Sequence, residues 1–189
     1  VRRGAVPGEG TWTHKYADPG RSNASAEQTL DFPLRMLWFG SVGPAPMTDR
    51  HWQGSPPLFH SGRMFLQGSY DIIAVDAYNG RVLWERHFPE LRRVGFRFRG
   101  GSIVTDGNHV FVPVGTHCLQ LDAATGETRR TYPAPSHLLD ITVPDNPIRR
   151  ALDAGGRNAR PTPNQVGWEF LAVTERFLVG SVGVPNFAW

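Results

Sequence analysis

Apolar residues in this chain come in short runs, and turn-forming residues break them every few positions. Leu58-Phe59 is followed by His60-Ser61-Gly62-Arg63 and then by Met64-Phe65-Leu66. Ile72-Ile73-Ala74-Val75 leads into Asp76-Ala77-Tyr78-Asn79-Gly80 and on to Val82-Leu83-Trp84. The same order returns downstream. Ile103-Val104-Thr105 meets Asp106-Gly107 before Val110-Phe111, and Cys118-Leu119-Gln120-Leu121 meets Asp122-Ala123-Ala124-Thr125-Gly126. Apolar runs of this length bounded by Gly, Asp and Asn predict β-strands, with hairpin turns at Ser61-Gly62 and Asp106-Gly107. In Asp76-x-x-Asn79-Gly80 and Asp122-x-x-Thr125-Gly126 the Asp side chain accepts turn amides and Gly supplies a positive φ.

The spacing is regular. Gly62 to Gly107 is 45 positions and Gly80 to Gly126 is 46. Arg35-Met36-Leu37-Trp38 stands 46 positions before Arg81-Val82-Leu83-Trp84. Leu171-Ala172-Val173-Thr174-Glu175-Arg176-Phe177-Leu178-Val179 repeats the first hairpin, with Glu175-Arg176 at its turn. Each unit gives strand, tight turn, strand, loop, strand, Asp turn, strand. Four strands in about 45 residues is the period of a β-propeller blade, and the spacing of a helical or leucine-rich repeat is absent. Trp84 ends an outer strand, where its ring is expected to pack on the neighbouring blade; Trp38 repeats it, and Arg130 takes that place in the second unit.

Composition agrees with an all-β chain. Gly (21) and Pro (16) make up about a fifth of 189 residues, too much punctuation for a helix bundle. The net charge of +3 comes almost wholly from arginine, Lys15 being the only lysine. So small an excess without clustering on one face argues against nucleic-acid binding. No run reaches the length of a membrane span. The single Cys118 forms no intrachain disulfide and fits no Cys-rich zinc motif; a small buried hydrophobe is its expected role. The chain opens at Val1 with neither Met nor an apolar leader, and closes on Phe187-Ala188-Trp189 directly after an apolar run. We therefore expect a piece of a longer protein, with no signal peptide visible in it.

Candidate chemistry is sparse. Walker, G-x-S-x-G and H-E-x-x-H patterns are absent, and the seven histidines lack metal-ligand spacing. Arg92, Arg93, Arg97 and Arg99 interleave with Phe96 and Phe98. On a strand, Arg97 and Arg99 share one face and form a candidate anion or ligand contact. The plainer reading is an inter-blade connection that buries Phe and solvates Arg. Residues 134–167 break the period and are rich in Pro, Asp, Asn, Gly and Arg, with Ile148–Leu152 able to form a helical turn. Long loops on a rigid scaffold concentrate binding residues, which makes this insertion and Trp168 further candidates.

At these residues the chain resembles the quinoprotein-like β-propellers, whose repeats are named after pyrroloquinoline quinone. Their tryptophan-docking motif runs A-x-D-x-x-T-G-x-x-x-W. Ala74, Asp76, Gly80 and Trp84 match it, with Asn79 in the Thr place; Asp122, Thr125 and Gly126 match in the second unit, while Gln120 and Arg130 do not. Trp12-Thr13-His14-Lys15-Tyr16-Ala17-Asp18-Pro19 is similar to the entry segment of large bacterial members of planctomycete type. The resemblance implies an incomplete ring of four-stranded antiparallel blades, akin to WD-type propellers. It implies an entry segment over 1–30 and a partial propeller over 31–189. Full blades are expected at about 55–88 and 101–133, and the next blade at 168–189. It further implies a periplasmic or envelope location, remaining blades of the same ring, protein partners or a fused catalytic domain, and a scaffold role. The alternative is a dehydrogenase using pyrroloquinoline quinone and calcium. Such dehydrogenases carry a catalytic Asp and usually a vicinal disulfide; Cys118 cannot form one, no catalytic Asp can be carried over, and no cofactor is assignable.

Overall fold

The computed structural model describes residues 4–40, 55–68, 70–91, 103–140, 145–154 and 166–183, without the side chains of 151–154. The first sheet runs β1 (Leu58–His60), β2 (Arg63–Gln67), β3 (Asp71–Asp76) and β4 (Val82–His87), each strand antiparallel to its chain neighbour. The second repeats this with β5 (Val104–Thr105), β6 (His109–Val114), β7 (His117–Asp122) and β8 (Thr128–Pro133). Two helices follow, α1 (Ser136–Leu139) and α2 (Pro147–Ala154), the latter longer than the single turn expected at 148–152. A hairpin of β9 (Gly167–Val173) and β10 (Leu178–Gly183) ends the described chain.

The two sheets match in detail. Ala74 pairs with Trp84 and Val75 with Val82, so β4 bulges there; Gln120 pairs with Arg130 and Leu121 with Thr128, so β8 bulges at the same place. Arg130 thus holds in the second sheet the position of Trp84 in the first. The hairpins differ. Ser61 (φ 49°) and Gly62 (φ 69°) form a two-residue turn of type I′ between the paired His60 and Arg63. The Asp106-Gly107 hairpin is wider than a two-residue turn: Thr105 pairs with Val110 and leaves a four-residue loop. The Asp106 carboxylate accepts the amides of Asn108 (2.9 Å) and His109 (2.6 Å), which holds the wider loop. In the third hairpin Thr174 does the same with its hydroxyl, accepting the amides of Arg176 and Phe177.

Burial follows strand alternation. Ile72 and Ala74 of β3 face one side, with Val110, Val112 and Leu121 of the second sheet in the same apolar cluster. Ile73 and Val75 face the other side with Leu66. In the second sheet Phe111 and Cys118 turn away from the first and pack with Leu171 and Val173 of β9. Middle strands are therefore buried on both faces, whereas a two-sheet sandwich buries one face of each sheet.

The first strands of these sheets converge. Three consecutive residues accept an amide hydrogen from three of them: Trp12 O from Phe59 of β1 (2.8 Å), Thr13 O from Thr105 of β5 (3.0 Å), and His14 Nε2 from Val173 of β9 (3.0 Å). Residues 12 to 14 span no more than about 7 Å of chain. Sheets whose innermost strands meet within that reach are wedges around a common axis.

Candidate interaction site

Two sets of contacts hold the wedges together, one at the inner edge and one at the rim. The inner set is the segment Trp12–Ala17. Trp12 and Phe59 exchange both of their backbone hydrogen bonds. A tight turn returns the chain: Thr13 and His14 donate to Ala17 O, Ala17 donates to His14 O, and Ala17 takes φ 77°. The backbone N–H of Val173 can only donate, so His14 Nε2 carries the lone pair. Its proton therefore sits on Nδ1 and is donated to Thr13 Oγ1 (2.8 Å), whose own hydroxyl hydrogen goes to Ala17 O (3.2 Å). His14 is 5% exposed, and burial pulls its pKa down to about 4 against the opposing charge of Asp18. The ring is neutral and acts as a wedge-to-segment hydrogen-bond acceptor.

The rim set uses the repeated tryptophans. Trp38 Nε1 donates to Ala77 O (2.8 Å) and Trp84 Nε1 donates to Ala123 O (3.1 Å), each 39 residues along the chain. The same alanines donate their amides to the first hairpin of their own sheet, Ala77 to Gly62 O and Ala123 to Asn108 O. One residue thus ties an indole from the preceding repeat, through its carbonyl, to a hairpin within its sheet, through its amide. The rings lie over Gly80 (φ 71°) and Gly126 (φ 74°). A methyl on Gly126 would stand 2.7 Å from Trp84 Cδ2, and one on Gly80 would overlap the Trp38 ring. Both the backbone angle and the indole therefore require glycine.

The turns under these rings are built alike. Asp76 Oδ1 accepts the Tyr78 amide (2.9 Å), and Asp122 Oδ1 accepts those of Ala124 (2.8 Å) and Thr125 (3.0 Å). Burial works against the Asp122 charge, yet these amides and Arg129 hold its carboxyl below the usual range. Asn79 and Thr125 do one job with different chemistry, each accepting the amide two residues on. In the second sheet Arg130 replaces the indole, and its guanidinium lies over Tyr132.

The other candidates lie elsewhere. Arg97 and Arg99 fall outside the described residues. Trp168 sits half-buried on β9, its ring over Gly180 and packed with the cluster of Phe111 and Cys118. Burial pushes the Cys118 thiol up to about 12, so it stays protonated. Among the described residues no three His, Cys, Asp or Glu side chains come together as a metal site. Cys118 is a single buried thiol, and the inner edge beside β1, β5 and β9 is occupied by Trp12–Ala17. The structural role of His14 was not visible in the sequence. Its partner lies 159 residues away, and no local spacing marks it.

No family model matches the sequence, and no relative is found among curated proteins. Solved structures do match. The quinohemoprotein alcohol dehydrogenase ADHIIG from Pseudomonas putida HK5 aligns with 93% of this chain at 16% identity and a TM-score of 0.57. A europium-containing methanol dehydrogenase aligns with 93% at 13% identity, also with a TM-score of 0.57. The chain spans about a quarter of each (23% and 28%). The fold is therefore that of part of a quinoprotein-type β-propeller, all-β and unclosed.

Two measurements test the contacts. Trp84 is 8% exposed, and Trp84→Ala is expected to cost about 3–5 kcal/mol in urea unfolding, the cost of emptying a buried aromatic site. Trp84→Phe, which keeps a ring but loses the bond to Ala123, should cost less. The second concerns pH. The folded pKa of His14 lies below its unfolded value of 6.5, so the unfolded chain binds more protons between about 4 and 6.5. The contribution is fully present above pH 6.5 and is lost as pH falls toward 4, in all about 3 kcal/mol at 1.36 kcal/mol per pKa unit. His14→Gln should unfold with a visibly shallower dependence over that window; an unchanged slope would refute the assignment.

Proposed function

We propose that residues 1–189 are a propeller module with quinone-type repeats, acting as an interaction or ligand-binding scaffold within a larger bacterial envelope protein. The observation that supports this reading is the row of bonds from Trp12, Thr13 and His14 to Phe59, Thr105 and Val173. The inner edge is used to fasten blades together, which is a structural employment of the place where strands converge. The blades proposed are 55–88 and 101–133, entered from 1–30, with an insertion at 134–167 and a further blade from 168. Trp38 and Trp84 are read as tryptophan-docking residues in the manner of the quinoprotein repeat and of WD-type propellers. The periplasmic or envelope location rests on the resemblance; among the described residues no helix is long and apolar enough to cross a membrane. Ligand contacts are proposed at Arg97, Arg99 and Trp168, whose indole nitrogen is buried without a hydrogen-bond partner among the described residues.

The test is a titration of the complete protein with pyrroloquinoline quinone and calcium, followed by tryptophan fluorescence and by dye reduction with alcohols and sugars. A scaffold, ligand-binding or not, gives no turnover. Saturable binding together with dye reduction would replace the scaffold by a dehydrogenase.

A further inference from the structure

The turns beneath Trp38 and Trp84 differ at a chemically important position. The first carries Asn79-Gly80 and the second Thr125-Gly126. Asn79-Gly80 is also the one Asn-Gly pair in residues 1–189. A side-chain carboxamide followed by glycine is the arrangement in which a backbone nitrogen most readily attacks its neighbour's side chain. Glycine has no Cβ to obstruct the approach, and its backbone freedom lets a five-membered ring close. Threonine offers no carbonyl carbon, so the second turn lacks this chemistry.

The folded turn holds both reacting groups apart. Gly80 N–H donates to Asp76 O (2.8 Å), and the Asn79 carboxamide oxygen accepts the Arg81 amide (2.9 Å). Ring closure breaks the first bond as the nitrogen loses its proton, and the second as the side chain turns back toward Gly80. Asn79 is exposed, so water and base reach its side chain, whereas Gly80 is buried. The cover over Gly80 is Trp38, whose ring lies against it and whose Nε1 donates to Ala77 O (2.8 Å) in the same turn.

We propose that Asn79-Gly80 is a modification site, shielded by Trp38, at which a succinimide and then an isoaspartyl linkage form when the indole leaves the turn. The Gly80 nitrogen, having lost its proton to base, bonds to Asn79 Cγ. The Cγ–Nδ2 bond breaks, and the side-chain nitrogen leaves as ammonia with that proton. Water then opens the ring. Attack at Cγ gives an ordinary aspartyl residue; attack at the main-chain carbonyl of position 79 leaves the chain running through Cγ. One water is consumed and one ammonia released, with no change of oxidation state. The isoaspartyl form lengthens the backbone by one carbon just before Gly80, where a carbon added to the glycine already overlaps the Trp38 ring. It also puts a new carboxylate in the turn that buries Asp76. The product therefore keeps the indole from returning, and the joint between Trp38 and the first sheet stays open.

The test incubates the complete protein at mildly alkaline pH and cuts it with trypsin after Arg63 and Arg81. The peptide 64–81 holds Asn79 as its single Asn. Mass spectrometry counts its Asn, aspartyl and isoaspartyl forms, against a synthetic peptide of residues 74–84. The folded protein is expected to convert more slowly than the peptide. Trp38→Ala should speed conversion by about tenfold, the factor that corresponds to about 1.4 kcal/mol of lost shielding. Trp38→Phe, which keeps a ring without the bond to Ala77, should fall between them, and Asn79→Thr should abolish conversion. Conversion of the wild type at the peptide's rate, or no gain in Trp38→Ala, would overturn the proposal. A matching rise at Asp106-Gly107 in Trp38→Ala would do so too, since general unfolding and not the indole would then govern the site. Converted wild-type molecules should also lose slow exchange of the Trp38 Nε1 hydrogen; its retention would refute the effect on the joint. None of these readings depends on quinone binding, so this proposal and the scaffold reading fail separately.

Discussion

The middle strands of these sheets are apolar on both faces, and no such sheet is stable alone. Ile72 and Ala74 need the second sheet, Ile73 and Val75 need cover on the opposite side, and Phe111 and Cys118 need β9. Each wedge therefore supplies half of its neighbour's core. Removing apolar area from water drives this stacking, and stacking alone would permit flat layers. What turns layers into wedges is the difference between the two edges. At the inner edge β1 contacts β5 and β5 contacts β9. At the outer edge an indole fills the space between one sheet and the turn of the next.

The inner fastening is economical in chain length. Three adjacent residues, Trp12, Thr13 and His14, take one amide each from three sheets, so the strands must come within a few ångströms of one line. The third acceptor is a side chain. A backbone carbonyl at the same place would point along the tight turn to Ala17, which already uses His14 O. The imidazole reaches past that turn, and its neutral form is the one that fits, because a protonated Nε2 would face the Val173 amide hydrogen.

Much of this was legible in the sequence, for a physical reason. Turns constrain residue type strongly: Asp76 and Asp122 accept turn amides, Gly80 and Gly126 take positive φ beneath a ring, and Trp38 and Trp84 recur at the same interval. Those demands are local, so they leave a periodic mark. The width of the Asp106 hairpin was less legible, because the same Asp-Gly pair serves two-residue and four-residue loops; the choice lay with Asn108 and His109 as amide donors. His14 left no mark at all, since its role exists only when β9 has been brought to it. Trp168 drew attention by its place after a long insertion, whereas its surroundings are set by Gly180 and by the far face of the second sheet.

The convergence of the sheets is tested most directly by hydrogen exchange read at single amides of Phe59, Thr105 and Val173. The wedge arrangement predicts that all three are protected, and that deleting residues 1–18 from the complete protein frees all three together while the amides paired between β6 and β7 stay slow. If Thr105 and Val173 kept their protection without the entry segment, or never had any, the first strands would not share an axis and the account of the fold would be wrong.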